Sequence, residues 1–273
     1  VAVCHTPKLV SKLIITRTKY LVLDNKTGEY LGIIKVNSLL YYLNRFFPIS
    51  RRNLFKNGQH ILNCAVIVPT QPFGYNLLGG KLLALLSISD QVQNDWYNKY
   101  NITPVLFTTT SLFGAYSQYT GLNPYWKLIN EVKSNINYYL PEREYNILKE
   151  YCCFRYPRDT YKILKDTSRR NVKNKFLQYA YNRLKIPEYK QKLTHKRGQY
   201  TSPVYENYLQ FLNSRINLNQ LTPRIDTSVD YLVDYWKKLA KKRYNKLKNE
   251  NRLKTDNDLL IWMKDKNWED ICI

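Results

Sequence analysis

The ten residues HILNCAVIVP (His60 to Pro69) constrain the fold more than any other part of the chain. A strand that is apolar on both faces belongs in the interior of a sheet, because successive side chains point to opposite faces. Pro69 has no amide hydrogen to give to a ladder, so the strand ends there. Directly after it, QPFGYNLLGGKLLALL (Gln71 to Leu86) runs through a turn rich in Gly, Pro and Asn and then takes up a helical pattern. Leu82, Leu83, Leu85 and Leu86 form one apolar face and Gly80 sits near its start, which predicts a helix from Gly79 to about Tyr97. A second helical turn is expected to begin at Asp90.

The flanking segments extend this into a sheet. KYLVLDNKTGEYLGIIKVNS (Lys19 to Ser38) reads as a hairpin around DNKTG. Residues 39–59, aromatic and basic and broken by Pro48 and Gly58, read as irregular or as a short helix plus loop. NITPVLFTTTSLFG (Asn101 to Gly114) predicts another buried strand, and YSQYTGLNPYWKLI after it a turn leading to a last strand or short helix. Val229 to Leu253 is the clearest helix. Val229, Leu232, Val233, Trp236, Leu239, Ala240 and Leu247 recur at spacings of three and four, opposite a face of lysines and Arg243. That pattern fits a core-docked helix with a basic outer face, then a phosphate contact, then a membrane-surface helix. Thr255 to Asp258 resembles a cap for a short apolar helix, LLIWMKD.

Charge divides the chain. Lys and Arg number 43 against 21 Asp and Glu, a formal +22. A codon bias towards Lys, Asn, Tyr and Ile would account for these residue types, but not for the shortage of Glu. Arg155 to Arg197 holds 14 basic and 3 acidic residues, about half of the net charge. Phe176, Tyr179, Tyr181 and Tyr189 are interleaved there, with Tyr200 just beyond, among 25 tyrosines in all. Cations for phosphates and rings for unstacked bases point to a nucleic-acid surface, with a solvated basic helix face as the competing explanation. The candidate contacts are Arg155, Arg158, Arg169, Arg170, Lys173, Lys175, Arg183, Lys196 and Arg197, joined by Lys241, Lys242 and Arg243 on the long helix. The expected division is an α/β core over residues 1–140 and a basic, mainly helical region over residues 141–273.

Several classes of function are disfavoured. Five scattered cysteines (Cys4, Cys64, Cys152, Cys153 and Cys272) make neither a disulfide framework nor a zinc spacing, and fit a reducing cytoplasm. No apolar run reaches the ~20 residues of a membrane span. The chain starts at Val1 without a signal-peptide pattern, which reads as a processed start or the edge of a longer chain. With only His5, His60 and His195 and sparse acids, no metal-dependent nuclease site is expected.

Gly74, Gly79 and Gly80, with Lys81 just inside the helix, could cradle phosphate on freed backbone amides. The segment is not a Walker loop, since Leu82 stands where Ser or Thr is needed, nor a dinucleotide fingerprint. The alternative is a tight turn under a core helix.

The order of hairpin, buried strand, glycine loop, helix and strand resembles the GNAT acyltransferase superfamily over roughly Lys19 to Leu128. Gln71-Pro72-Phe73-Gly74-Tyr75 matches the start of that family's [QR]-x-x-G-x-[GA] loop, with Asn76 where a small residue is expected. The resemblance implies a pyrophosphate of acetyl-CoA or another acyl-CoA held by Gln71, Gly74, Tyr75, Asn76, Gly79, Gly80 and Lys81. It also implies an acid tyrosine after the fifth strand, for which Tyr116 and Tyr119 are candidates, and a base near the fourth. His60 to Pro69 has no carboxylate, so His60 is the candidate base, against a strand-edge histidine without a role.

In wording, ILNCAVIVP, LLGGKLLALL, DWYNKY and PVLFTTTSLFG resemble the family of the Druantia anti-phage protein DruA and its phage-encoded relatives, which has itself been likened to GNAT folds such as Mom. This implies a bacterial cytoplasmic setting and a phage or mobile-element origin. Two functions follow: a nucleic-acid-binding protein, DNA favoured, on a GNAT-like scaffold, or a Mom-like acyl-CoA-dependent transferase that modifies DNA bases. An acidic protein partner is a third, weaker option.

Overall fold

A computed structural model describes residues 16–38, 48–111, 117–135, 140–165, 172–185, 194–256 and 258. The chain forms an α+β arrangement, a mixed sheet of six strands flanked by helices, in the order β1-β2-β3-β4-β6-β5. The strands are β1 (Arg17–Leu23), β2 (Tyr30–Ser38), β3 (Ile61–Pro69), β4 (Leu106–Thr110), β5 (Lys127–Asn135) and β6 (Thr194–Pro203). β1, β2 and β3 are antiparallel neighbours, β3 and β4 are parallel, and β4 and β6 are antiparallel.

The hairpin turn is set by Asp24, whose Oδ1 accepts from the amides of Lys26 and Thr27 at 2.7 and 3.1 Å. Those two bonds hold the Asp24 carboxyl below the ordinary carboxylate range. Gly28 closes the turn at φ +73°, where a residue without Cβ is favoured.

The central strand has the place its composition demands, yet only part of it is covered on both faces. Ile61 pairs with Leu106, and Leu62 with Phe107, and all four are buried. Alternation sends them to different cores. Leu62 and Phe107 join the large core under helices α3 (Gly79–Leu86), α4 (Asp90–Tyr100) and α9 (Val229–Asn249). Ile61 and Leu106 join a smaller core with Leu54 of α1 (Arg51–Asn57) and with Phe211 and Leu212 of α8 (Tyr208–Leu212). Further along, one face opens, and Leu21, Ile33 and Val68 lie opposite one another as an exposed apolar row.

The register of β2 against β3 shifts between Lys35 and Val36, leaving Ala65 as the extra residue of a bulge. Bulges bend and twist a strand. β3 pairs with β4 only from Ile61 to Asn63, before the bulge, and the two parallel strands diverge beyond it.

The helix expected from Gly79 to Tyr97 is two helices, the second beginning at Asp90, where the sequence predicts a second helical turn. Ser89 accepts from the amide of Val92 as an N-cap and starts α4 anew, with Asp90 in its first turn. The long C-terminal helix follows its pattern: Leu232, Ala240 and Leu247 are buried, and Lys237, Lys238, Lys241, Lys242, Lys246 and Lys248 are exposed. Among the described residues no helix is long and apolar enough to cross a membrane. The acidic cap at Thr255 is present, with Asp258 accepting from the Thr255 amide at 2.7 Å and from its hydroxyl at 3.0 Å. LLIWMKD lies outside the described residues.

By packing, the chain divides into a first unit of residues 1–131 and 197–265 and a second of residues 132–196 and 266–273. The described residues from 197 to 256, beyond the boundary at 140 expected from charge, thus group with the first unit. The second unit holds α5 (Glu142–Arg155), α6 (Pro157–Lys165) and α7 (Val172–Arg183) around Tyr145, Cys152, Phe176, Leu177, Ala180 and Tyr181.

Candidate functional site

The glycine loop is packed with the protein's own side chains. A cis Gln71–Pro72 bond leads into a single helical turn, α2 (Phe73–Asn76), whose Tyr75 amide donates to Gln71 Oε1 at 3.0 Å. Leu78 adopts φ +56° and α3 begins. A Cβ on Gly74 would come within 2.6 Å of Gln71 Nε2, one on Gly79 within 2.4 Å of the Phe73 ring, and one on Gly80 within 2.5 Å of Gln118 Oε1. The glycines therefore admit neighbouring side chains of this chain.

The rest of the loop is tied to α9 and the segment after it. Asn76 exchanges two hydrogen bonds with the Lys254 backbone, donating to its carbonyl at 2.7 Å and accepting from its amide at 2.9 Å. Trp236 donates to the Leu77 carbonyl at 2.9 Å and packs on Phe73. Arg243 lies over the Tyr75 ring at 5.0 Å, half-buried. Asn76, out of pattern for a phosphate loop, thus has a structural use here.

Where β3 and β4 diverge, the freed carbonyls are met by side chains. Thr109 Oγ1 donates to the Cys64 carbonyl at 2.8 Å, and Gln118 Nε2 to the Ile67 carbonyl at 3.3 Å. The Tyr119 hydroxyl bonds both Thr109 Oγ1 and Gln118 Nε2 at 3.1 Å. Lys81 donates to the carbonyls of Gln118 and Thr120, pinning this turn to the first turn of α3. Burial lowers the Lys81 ammonium pKa and raises that of the Tyr119 phenol. The structure thus gathers Lys81, Gly80, Gln118 and Tyr119 at the carboxyl ends of a parallel strand pair, the usual ligand position in open α/β sheets. Gln118 had no signal in the sequence, since its partners are set only by the divergence of the strands.

His60 stands apart from that group. It precedes β3 while the loop follows it, so the strand, roughly 25–30 Å long at the usual rise, separates them. Its Nδ1 donates to the Thr103 carbonyl at 2.7 Å, and its ring meets Phe211 edge-on. Burial pulls its pKa below the ordinary value. Tyr116 lies outside the described residues. Cys64 is buried, its thiol pushed up to about 12, and does not suit a nucleophile. Among the described residues no three His, Cys, Asp or Glu side chains group as a metal site.

The cation candidates divide by what they touch. Lys173 pairs with Glu142 at 2.8 Å and sits over the Tyr145 ring, and Arg183 lies over Tyr156 at 4.8 Å. Arg197 is half-buried in β6, and Arg243 is clamped on Tyr75. Arg155, Arg158, Lys175, Lys241 and Lys242 are exposed, and among the described residues none of them has an ion pair. Arg169 and Arg170 lie outside the described residues, as does the Lys196 side chain.

The interleaved aromatics are mostly core: Phe176, Tyr181 and Tyr200 are buried, and Tyr179 is half-buried, donating to Asp159 at 3.0 Å. Desolvation and that bond raise the Tyr179 pKa to about 12. Tyr189 lies outside the described residues. The exposed rings are instead Tyr151, Phe154 and Tyr161, on α5 and α6. Only their offset from the buried face of Tyr145, Leu148 and Cys152 could have marked Tyr151 and Phe154 in the sequence.

A family model described as Druantia protein DruA matches residues 9–214. No curated protein and no solved structure matches the chain.

Proposed function

The chain belongs to the DruA family, and on that footing we propose that it is a nucleic-acid-binding component of Druantia-type anti-phage defence, DNA favoured, that works from cationic surfaces carried by a GNAT-like scaffold. One observation carries this reading. Arg155, Arg158, Lys162 and Lys165 line the α5–α6 corner without an ion pair among the described residues, and Lys238, Lys241, Lys242 and Lys248 do the same on α9. Exposed cations without carboxylate partners favour a polyanion, since each phosphate they neutralise releases counterions. The GNAT-like part is supported by the order of hairpin, strand, loop, helix and parallel strand. The same reading has the protein acting in the bacterial cytoplasm, encoded by a host, phage or mobile element.

The binding assay is fluorescence anisotropy with duplex and single-stranded DNA across a salt series. Replacing Arg155, Arg158, Lys162 and Lys165 with Gln is expected to weaken binding at least about tenfold. It should also flatten the salt slope by about 0.7–0.9 for each phosphate that is no longer neutralised. Unchanged affinity would overturn the reading and turn attention to an acidic protein partner.

The gathering of Lys81, Gly80 and Tyr119 where β3 and β4 part favours a second reading, a Mom-like acyl-CoA-dependent transferase acting on DNA bases. Calorimetry with acetyl-CoA and CoA tests it. Micromolar binding abolished by Gly74→Trp supports the transferase. No binding up to millimolar leaves the scaffold without that cofactor.

A further inference from the structure

Phe154, in the last turn of α5, has 87% of its surface in water, and Tyr161 on α6 is 61% exposed. An isolated exposed ring is common on protein surfaces, but these two stand among cations. Arg158, Tyr161, Lys162 and Lys165 follow at spacings of three and four, so they share one face of α6. Arg155 precedes them at the end of α5, next to Phe154. Lys165 sits over one face of the Tyr161 ring at 5.2 Å. Against these four cations the stretch carries one acid, Asp159, which accepts from the Tyr179 hydroxyl at 3.0 Å.

From this arrangement we infer that the α5–α6 corner binds single-stranded nucleic acid, stacking unpaired bases on Phe154 and Tyr161 while Arg155, Arg158, Lys162 and Lys165 hold the adjoining phosphates. The inference rests on the nucleic-acid reading above and sharpens it. A duplex keeps its base faces stacked and offers a ring nothing to lie on, so a surface made for duplex phosphates needs cations alone. A single strand exposes both elements, and cationic grooves lined with aromatic rings are how such strands are held without sequence preference. A protein groove seeking an apolar helix face would be poorly matched by rings interleaved with four cations. The stripe continues along α5 as Tyr151 and Ile147, but Glu144 and Glu150 flank it there and would repel phosphate.

The test uses the full chain with a labelled oligothymidine of about 20 nucleotides and a duplex of equal length. Phe154→Ala and Tyr161→Ala are each expected to weaken the single strand about tenfold and to leave the duplex within about twofold. Neither substitution changes charge, so the salt slope should stay. Phe154→Trp, which keeps a stacking face, should bind the single strand at least as well as the parent. Thermal melting reports folding, and at 87% exposure Phe154 can be removed without opening the core. Equal losses on both probes, or none on either, would overturn the single-strand inference while the nucleic-acid reading stands. Failure of the parent to bind either probe at low salt would overturn both.

Discussion

The loop region of the first unit and the helical corner of the second use the same residue types in opposite ways. Around the loop, Lys81 bonds two carbonyls, Arg243 lies on Tyr75, and Trp236 packs on Phe73. At the corner, Arg155, Arg158, Lys162, Phe154 and Tyr161 face water. The loop is the more motif-like and the corner the more available. A cation already bonded to its own backbone has used the interaction it would offer a ligand. Its presence in a phosphate-loop pattern is therefore weak evidence of a phosphate. The partners a side chain has, more than its type, separate structure from surface.

The comparison breaks most sharply on stability. Gly32 in β2 adopts φ +151°, and a Cβ there would lie 2.4 Å from the Val68 carbonyl and 2.5 Å from Leu83 Cδ1. Gly32→Ala forces both an unfavourable backbone and an overpacked contact, and about 2–5 kcal/mol of stability should be lost. Phe154→Ala should shift stability by no more than about 0.5 kcal/mol. Urea unfolding of both variants measures this, and similar midpoints would mean that the two regions are not held as described.

A paired substitution of lysines sharpens the same contrast with a smaller effect. Lys81→Met leaves the carbonyls of Gln118 and Thr120 without their donor, and should cost about 1–3 kcal/mol while DNA affinity holds within about twofold. Lys162→Met should do the reverse, melting like the parent and binding more weakly. If folded Lys81→Met lost nucleic-acid affinity, the loop would belong to the interface and the contrast would collapse.

Much of the sheet was legible because local patterns dictate it. The hairpin follows from its alternation and the Asp24–Gly28 turn, β3 from its apolar run, and α9 from its period. The break after Leu86 was half visible, since Ser89 and Asp90 are cap residues inside an otherwise helical stretch. β6 was hidden. HKRGQY reads as a basic segment, and only pairing with Leu106–Thr110, some 90 residues earlier, makes it a strand and buries Tyr200. The site was less legible still. Gln118 matters because a bulge at Ala65 turns β3 away from β4, and Asn76 because Lys254 returns to it across 178 residues. Such partners leave no periodic trace. Tyr200 and Phe176 looked like surface rings for the same reason: composition counts rings without saying which face they occupy.

His60 offers the gentlest test, and it separates a buried structural histidine from a catalytic one. Its Nδ1 donates to the Thr103 carbonyl, so the neutral ring carries its proton there and leaves Nε2 free to accept from the Gln59 amide, at 3.5 Å. Burial disfavours the charged ring and lowers the folded-state pKa below the ordinary value of about 6.5. Below about 6.5 the unfolded chain takes up a proton at this residue that the folded chain resists, so acid favours unfolding. The stability linked to neutral His60 is therefore fully present above about pH 6.5 and is lost as pH falls towards the lowered folded value. Replacing His60 with Gln, which keeps a side-chain amide donor for Thr103 but does not titrate, should flatten the stability profile as pH falls below about 6.5. Urea midpoints of parent and variant across that window measure the difference. Identical slopes would mean that His60 titrates alike in both states and is not held as a buried neutral ring. A nucleic-acid affinity that tracked the His60 titration in the folded protein would give this residue a part in binding, and would break the division between a first unit whose loop cation Lys81 is bonded to its own backbone and a corner whose cations face water.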